Sequence, residues 1–355
     1  MDSGFPEPKR PRAGKPPLKF LPVLFVVVTI CFLYFVYVFC HCVPMLQLGV
    51  PSAALDVKIR SRGLAELVVF HIITVLLLIC YVRSIMVHPG TIPDEPQWEI
   101  SPQGFGADVA ALNLQETKKS GGRRQCGWCR KYKPDRCHHC RVCNMCILKM
   151  DHHCPWIYNC VGYMNYKYFF LLLLYSVLDC HLIVWTMSES VRSIIVVETP
   201  FLPVFVILFG ETLAFFLGIL VTMFFAFHIW LMMKAMTTIE FCEKSIPRKG
   251  DTEISGSYSS SVYDLGIFGN VRAVLGNNPL LWLVPCASNA GDGLNFVSEE
   301  SRLTTDMEAG KGIRRKCHQR TQRPRTPLSR YAYEEAPTGN FSALMAPRGH
   351  QESTT

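Results

Sequence analysis

The sequence is poor in charged residues: Asp, Glu, Lys and Arg together make up only 18% of its 355 residues. A typical soluble domain contains about 25% of these residues, whereas hydrophobic residues here reach 49%. This balance excludes an intrinsically disordered chain and argues against a wholly soluble one. The net charge of +8 would permit binding to nucleic acid, but the apolar excess points to a membrane, so we expect no nucleic-acid partner. No internal repeat is evident.

Four long stretches are almost free of charge, and the first of them contains no Asp, Glu, Lys or Arg at all. Because the hydrocarbon core of a bilayer is about 30 Å thick, about 20 apolar helical residues span it. No small-residue cleavage site follows the first stretch, which favours a retained helix over a signal peptide. Four buried helices of a soluble protein are the alternative, but such helices rarely run this far without a charge. The sequence therefore predicts an all-α membrane protein whose spans are residues 20–43, 64–87, 168–187 and 205–231.

The distribution of Lys and Arg predicts how the chain crosses the bilayer, since short cytosolic segments are enriched in these residues. Residues 1–19 contain five and residues 88–167 contain eleven, whereas the loop between the last two spans contains Arg192 alone. Both termini are therefore predicted to be cytosolic, as is the segment between the second and third spans. The membrane would be that of the Golgi, the endoplasmic reticulum or the cell surface.

Composition also divides the segments outside the spans. Residues 1–19 form a tail, residues 88–125 are a linker rich in Pro and Gly, and residues 232–288 mix polar and apolar positions. Residues 289–355 have few apolar side chains and are predicted to be disordered. Within them, residues 311–330 contain eight Lys or Arg and no acidic residue, which suits either an anionic lipid surface or a solvated tail.

Half of the sixteen cysteines lie within 35 residues, together with four histidines. Secreted disulfide scaffolds do not mix histidine with cysteine in this way, so the cluster indicates metal binding or thiol chemistry in a reducing compartment. Overlapping Cys-x2-Cys pairs are typical of tetrahedral zinc sites, and zinc stabilises a segment too short for its own core by about 10–16 kcal/mol. The candidates fill two sites of four and leave four residues over: Cys126, Cys129, Cys137, His138, His139, Cys140, Cys143, Cys146, His152, His153, Cys154 and Cys160.

Within this cluster, four consecutive residues contain a possible catalytic set. Asp151, His152 and Cys154 supply a carboxylate, an imidazole and a thiol, and a thiol needs such a base because it is only a few per cent ionised at neutral pH. The carboxylate would orient the imidazole. Side chains so close in sequence do not normally point at one place, although metal ligands on both sides could force them to. The alternative is that Cys154 is another ligand and Asp151 is solvated, and the spacing alone does not decide between these.

The run from Cys126 to Lys167 resembles the cysteine-rich domain of the DHHC-type protein S-acyltransferases, also called palmitoyltransferases. The four-span layout is also similar, as are Thr237-Thr238-Ile239-Glu240, Asn270 and the Trp-Leu-Val-Pro at 282–285. Two positions depart from the pattern: His88-Pro89-Gly90 stands where the family has Asp-Pro-Gly, and Asp179 lies within a span. The matching strings are Lys-Pro-Asp-Arg at 133–136, His-His-Cys at 138–140, Cys-Ile-Leu-Lys-Met at 146–150, Asp-His-His-Cys-Pro-Trp at 151–156, Asn-Cys-Val-Gly at 159–162 and Asn-Tyr-Lys-Tyr-Phe at 165–169.

The resemblance implies a division of the ligands between two structural zinc ions and a catalytic set. Cys154 would be the nucleophile, His152 the base and Asp151 its orienting partner, while Cys137 stays unassigned. Acyl-CoA would acylate Cys154, and cysteines of membrane-proximal substrate proteins would accept the chain. Thr237, Thr238, Glu240 and Asn270 would be structural. One zinc would take Cys126, Cys129, His139 and Cys146, and the other would take Cys140, Cys143, His153 and Cys160.

Contacts to the acyl donor are expected at five positions. Lys133, Arg136 and His138 are candidates for the CoA phosphates, although Lys133 and Arg136 could equally be part of a solvated face. Trp156 and Asp179 are candidates for the acyl chain. A carboxyl near mid-span is costly, so Asp179 either forms a polar floor that disfavours long chains, or it is protonated or hydrogen-bonded to a polar neighbour such as His181 or Ser176 without effect on chemistry.

Two other classes of protein compete with this interpretation. A membrane-anchored zinc module without catalysis, such as a RING-like domain, explains the ligands but not Asp151 and His152 beside a spare Cys154. A transporter would need ionisable groups in several spans, and Asp179 and Glu211 alone support it poorly.

Overall fold

The structure is a computed structural model that describes residues 16–100, 114–118, 122–196, 200–245, 261–287 and 291–297. The predictions made for residues 1–15 and for the basic tail from residue 298 onward fall outside these ranges.

Four long helices form the membrane part, and all four are longer than the apolar runs that predict them. Hydropathy identifies only the apolar middle of each helix, whereas backbone hydrogen bonding continues into flanking polar residues. The second helix, for example, begins where the Asp56 carboxylate accepts hydrogen bonds from the amides of Lys58 and Ile59, at 2.8 and 3.2 Å, as an N-cap does. The prediction of four membrane helices is confirmed: span 1 is Leu18–Met45, span 2 is Val57–Met86, span 3 is Tyr166–Val196 and span 4 is Phe201–Met233.

Span 3 packs against spans 2 and 4 and is the most buried of the four helices. The outer faces of the other spans expose large apolar side chains such as Leu24, Val68 and Phe216, which is the surface that lipid requires. Spans 1 and 4 approach closely at Gly210, where an added Cβ would lie 2.8 Å from Val36 Cγ1. A glycine there lets the two backbones meet, so the bundle is tightly packed along this edge.

Polar side chains within the spans are paired at the end of the bundle distant from the cysteine-rich domain. His41 lies in a π-helical turn of span 1, and its Nδ1 and Nε2 are 2.7 Å from Ser190 Oγ and 2.9 Å from Glu66 Oε2. Arg62 Nε donates to the other Glu66 oxygen at 2.7 Å. These contacts connect three helices, because an unpaired polar group in a bilayer is costly.

The cysteine-rich domain lies between spans 2 and 3, where it was predicted, and it consists of three short antiparallel hairpins that the sequence analysis did not predict. Metal ligands face each other across two of them: His139 is paired with Cys146 and His153 with Cys160. The strands are β1 Gln125–Cys126, β2 Lys131–Tyr132, β3 His138–Cys140, β4 Met145–Ile147, β5 His152–Cys154 and β6 Asn159–Val161.

Part of the predicted linker belongs to this domain rather than to a free connection. Ile92 and Trp98 are almost fully buried in an apolar cluster with ligand cysteines of the domain. Arg123 lies over the rings of Trp98 and Tyr132, at 5.3 and 4.2 Å from their centroids. The Pro and Gly content of the linker predicts no helix or strand there, but a segment without regular secondary structure can still pack on a domain.

The turn that departs from the family pattern is closed by histidine. His88 Nδ1 accepts a hydrogen bond from the Gly90 amide at 3.1 Å, which is the bond that an aspartate forms in an Asx turn. Gly90 has a φ of +97° and its carbonyl accepts from Leu148 N at 3.1 Å. The imidazole therefore replaces the carboxylate in joining span 2 to the domain.

Two short helices follow span 4 and cover the domain. Thr238–Ser245 begins directly after the span, and Ile267–Leu275 packs against spans 3 and 4. Asn270 fixes the second helix: its amide donates to Met233 O at 2.9 Å and to Asp264 Oδ1 at 2.7 Å, and its carbonyl oxygen accepts from Leu265 N at 2.9 Å. Asn270 therefore ties this helix to the end of span 4.

Candidate active site and metal centres

Each predicted set of four ligands converges on one point. In the first set, His139 Nδ1 lies 3.5, 3.3 and 3.9 Å from the sulfurs of Cys126, Cys129 and Cys146. The four ligand atoms lie within 4.8 Å of one another. Three thiols and one imidazole without an open position are the donor set of a structural zinc site, so these residues fit the ion.

The second set has the same geometry. His153 Nδ1 lies 3.7, 3.4 and 3.5 Å from the sulfurs of Cys140, Cys143 and Cys160, and these atoms again lie within 4.8 Å of one another. Cys154 belongs to neither set. Both clusters can hold a metal, which agrees with the expectation of two metal sites in this domain.

Strand geometry explains how adjacent residues serve different sites. Successive side chains of a β-strand point to opposite faces, so in β5 the His153 ring faces the metal ligands while its neighbours His152 and Cys154 share the other face. The neighbouring Cys154 thiol contributes to the raised pKa of His152. A two-residue alternation, rather than distortion of a loop, therefore brings imidazole and thiol together.

Asp151 holds the imidazole in place. The carboxylate is fully buried, and His152 Nδ1 donates to its Oδ2 at 2.7 Å. Burial alone would lower the pKa of His152, but Asp151 and Cys154 raise it to about 9. Burial would raise the pKa of Asp151, but His152 and the Thr238 amide hold it below its usual value. These pKa values favour an ionised Asp151 carboxylate and a protonated His152 imidazolium at neutral pH.

The helix after span 4 fixes this carboxylate. Thr238 N donates to Asp151 Oδ1 at 2.9 Å, and Thr238 Oγ1 donates to Oδ2 at 2.7 Å. The same helix begins with a capping box, in which Thr237 N donates to Glu240 Oε2 at 3.0 Å and Glu240 N donates to Thr237 Oγ1 at 3.2 Å. The site is therefore assembled from residues 87 positions apart in the chain.

Arg136 is engaged within the protein. Its guanidinium binds the Glu240 carboxylate with two hydrogen bonds of 2.6 and 2.9 Å and donates to Ala235 O at 2.9 Å. The side chain is almost fully buried. This bidentate pair fastens the cysteine-rich domain to the end of span 4 and leaves Arg136 no free face for a phosphate.

The other two candidates for phosphate binding differ in charge. Burial, with help from Arg124 and Lys133, lowers the pKa of His138 to about 4, so its imidazole is neutral at physiological pH. Lys133 is half-buried and forms no ion pair within the described part of the chain. Of the three candidates, only Lys133 offers an uncommitted positive charge.

Cys154 lies at the junction of the domain and the bundle. It is 5% exposed and packs in an apolar cluster with Tyr81, Phe169 and Phe170. Trp156 is half exposed, and its ring lies 6.1 Å from that of Phe25 in span 1. The thiol therefore faces apolar side chains at one end of the bundle.

Asp179 has a different partner from those expected. His181 and Ser176 are bonded to carbonyls of their own helix, whereas Asp179 Oδ2 accepts from Thr74 Oγ1 of span 2 at 3.1 Å. Its Oδ1 is buried and has no partner among the described residues. Asp179 is therefore hydrogen-bonded to a polar neighbour, but that neighbour is neither His181 nor Ser176, because both of these side chains bind a carbonyl one turn earlier in their own helix.

Two side chains near the site were not singled out as site residues in the sequence. His228 of span 4 is fully buried, and its ring centroid lies 6.0 Å from that of His152. Asn159, the first residue of β6, is half-buried and donates to the carbonyls of Ser84, Ile85 and Val87 at the end of span 2. A lone His in an apolar helix gives no signal, whereas Asn159 belongs to the Asn-Cys-Val-Gly string that matches the family.

Comparison with known proteins agrees with this geometry. A family profile described as DHHC palmitoyltransferase matches residues 119–245. Palmitoyltransferase ZDHHC15 of Mus musculus is 32% identical over 299 residues, which is 79% of this chain and 82% of that protein. Palmitoyltransferase ZDHHC15A of Danio rerio is 33% identical over 79% of this chain and 84% of its own length. Palmitoyltransferase ZDHHC2 of Homo sapiens is 31% identical over 79% and 75%.

Fold and site together define a multi-pass membrane enzyme whose cysteine-rich domain, which can hold metal ions, lies between its second and third spans. The chain belongs to the DHHC palmitoyltransferase family. The expectation of a protein S-acyltransferase is confirmed at the level of the family.

Proposed function

We propose that this enzyme moves a long-chain fatty acyl group, such as palmitoyl, from acyl-CoA to cysteines of substrate proteins through a thioester on Cys154. The observation that carries the proposal is the hydrogen-bonded series Thr238, Asp151, His152 beside a cysteine that neither ligand set uses. A zinc module without catalysis has no use for a buried carboxylate that orients such an imidazole.

The first half-reaction loads the enzyme. His152 holds the proton of the Cys154 thiol, and the thiolate attacks the carbonyl carbon of acyl-CoA. The new thioester forms as the bond to the CoA sulfur breaks, and the departing CoA thiolate takes the proton from the His152 imidazolium. Asp151 keeps the imidazole oriented through both events.

The second half-reaction unloads the enzyme. Neutral His152 accepts the proton of the incoming cysteine thiol, whose thiolate then attacks the acyl group on Cys154. Cys154 leaves as a thiolate, which restores its pair with the imidazolium. One imidazole therefore serves both steps as base and acid.

Two zinc ions bound by the two ligand sets would be structural. They would supply folding free energy to hairpins that are too short to be stable alone. Since each set provides four ligands, no coordination position is left for a substrate. The contribution of the protein is to hold β5 so that His152 and Cys154 face the membrane end of the domain.

Binding of the acyl donor would use charge outside the bilayer and apolar surface within it. Lys133 is our candidate for the CoA phosphates. Trp156 would contact the chain at its entry among the spans, where each buried CH2 contributes about 0.8 kcal/mol. Lys133→Ala should raise the KM for acyl-CoA while leaving kcat nearly unchanged.

Asp179 lies ten residues beyond Phe169 in span 3, which places it about 15 Å deeper in the bundle. A polar floor at this depth would disfavour longer chains, so Asp179→Ala should shift preference toward longer acyl-CoA. Competition among C14, C16 and C18 acyl-CoA measures this. An unchanged preference in a normally expressed variant would mean that the bond to Thr74 has only a structural role.

The orientation follows from the same chemistry. Free thiols and acyl-CoA require the cytosolic side, so the domain and both termini would lie in the cytosol of a Golgi, endoplasmic reticulum or cell-surface membrane. Substrate proteins would present cysteines close to that membrane.

The test is direct acylation. Purified protein incubated with labelled palmitoyl-CoA should acquire a label that hydroxylamine removes, and Cys154→Ser should abolish it. Label retained on the Ser variant would place the intermediate elsewhere and overturn the proposal.

A further inference from the structure

A cavity of about 320 Å³ is lined by Thr237, the neighbour of the Thr238 that binds Asp151. The cysteine-rich domain, the end of span 4, the helix Ile267–Leu275 and residues 295–297 enclose it. Its volume falls within the range of about 300–1,000 Å³ that is typical of small-molecule sites. The mechanism above makes no use of this space.

The charge of the cavity wall is one-sided. Arg136, Lys149 and Arg272 line it, and no carboxylate does so among the described residues. Arg136 is neutralised by Glu240. Lys149 and Arg272 form no ion pair within the described ranges, where Arg272 donates only to the amide oxygen of Asn277 at 3.1 Å. Neither side chain therefore has a carboxylate paired with it, although Asp151 and Glu240 lie near enough to Lys149 to favour its charged form.

Lys149 is the less usual of the two, because its side chain is half-buried and has no ion-pair partner within the described ranges. Its Nζ lies 5.9 Å from the centroid of the Tyr166 ring. Burial and the nearby Arg136 lower the pKa of Lys149 to about 7. An anion in the cavity would stabilise the protonated form.

A second polar group points to a missing partner. Tyr263 lines the same cavity and is 94% buried, and its hydroxyl has no hydrogen-bond partner among the described residues. An unsatisfied buried hydroxyl is costly, and a ligand with acceptor oxygens would remove that cost. Asn277 and Asn295 add amide groups to the wall.

We propose that this cavity is a binding site, separate from the acyl-donor site, for a phosphorylated ligand with at least two negative charges. Lys149 and Arg272 would bind its phosphates and Tyr263 would donate to a phosphate oxygen. The ligand class is an inositol polyphosphate, either free or as the headgroup of a membrane lipid. Thr237 and Asn270 are also in the wall, so the ligand would brace the segment that holds Asp151.

The experiment uses the full chain in phosphatidylcholine nanodiscs with inositol 1,4,5-trisphosphate as the probe, measured by isothermal titration calorimetry. We expect one saturable site. Arg272→Gln and Lys149→Met should each weaken binding about tenfold or more, since each removes a charge-assisted contact. Arg141→Gln is the matched control, because Arg141 is exposed on the same domain and does not line the cavity.

Arg272 is exposed, so its variant tests the site even if Lys149→Met fails to fold. Nanodiscs that contain phosphatidylinositol 4,5-bisphosphate identify the source: loss of trisphosphate binding indicates the lipid headgroup, and unchanged binding indicates the free ligand. Absence of saturable binding, or equal loss in Arg141→Gln, would overturn the proposal. Competition by CoA would also overturn it, because the cavity would then be part of the acyl-donor site.

Discussion

The two metal-ligand sets are copies of each other displaced by 14 residues along the chain. In each set two cysteines lie 13 and 10 residues before the histidine, and the third lies 7 residues after it. The backbone repeats as well, since Arg130 and Asn144 follow corresponding cysteines with φ of 54° and 55°. The domain is therefore an internal repeat, and the expectation that the sequence contains none is wrong.

The difference between the copies lies in the residues that flank the central histidine. The strings His138-His139-Cys140 and His152-His153-Cys154 occupy equivalent strands. Cys140 belongs to the second set, whereas Cys154 belongs to no such set among the described residues. A thiol with the geometry of a ligand thus becomes available for chemistry where the repeat stops.

The largest expected effect distinguishes these two cysteines. Cys140→Ser should remove one zinc equivalent and destabilise the domain, on the scale of about 10 kcal/mol for a structural site. Cys154→Ser should retain two zinc equivalents and the fold. Zinc stoichiometry of both purified variants measures this, and loss of zinc from Cys154→Ser would make Cys154 a ligand.

The next effect distinguishes the adjacent histidines. His153→Ala should lose a metal ion together with folded protein, whereas His152→Ala should keep both and slow acylation about 10²–10⁴-fold, as expected for a lost general base. Metal content and label incorporation are measured on the same samples. Equal metal loss in the two variants would contradict the division of roles.

The helix Thr238–Ser245 binds a residue just before each His-His-Cys string: Glu240 binds Arg136, and Thr238 binds Asp151. Substitutions at Glu240 and Thr238 can therefore be compared. Glu240→Gln leaves Arg136 buried without a counter-charge and should destabilise the domain by about 3–5 kcal/mol. Thr238→Val removes one hydrogen bond to Asp151 and should cost about 1–3 kcal/mol, mostly as slower acylation. Denaturation midpoints and single-turnover rates separate the two. The same loss of stability from both would argue against a specific role for Thr238.

The smallest expected effect is a shift in pH dependence. His152 keeps its proton to about pH 9, whereas burial and basic neighbours keep His138 neutral above about pH 4. The pKa of His152 is raised by Asp151, so the imidazolium is present at lower pH and lost as pH rises through 9. Asp151→Asn should move the upper limb of the acylation profile to lower pH, and His138→Gln should leave it in place. An unmoved limb in Asp151→Asn would show that another group controls it.

The spans could be predicted from the sequence because uncharged length is a local signal, and two metal sites could be predicted because the density of Cys and His is another. The assignment of particular ligands to each site came from the family resemblance and not from spacing. The pairing of Asp179 with Thr74 could not be predicted, since the partners are 105 residues apart. The expected role of Arg136 and His138 in phosphate binding also could not be judged from the sequence. The Glu240 carboxylate occupies the Arg136 guanidinium, and burial keeps His138 neutral. The alternation of His152 and Cys154 could have been read from the sequence if residues 152–154 had been recognised as a strand.

The short helix after span 4 has a consequence for which proteins can be modified. Because Thr238 binds Asp151 and Glu240 binds Arg136, the position of Cys154 relative to the end of span 4 is fixed. Under the proposed mechanism an acceptor cysteine would have to reach that position, so its distance along its own chain from a membrane anchor would become a criterion of selection.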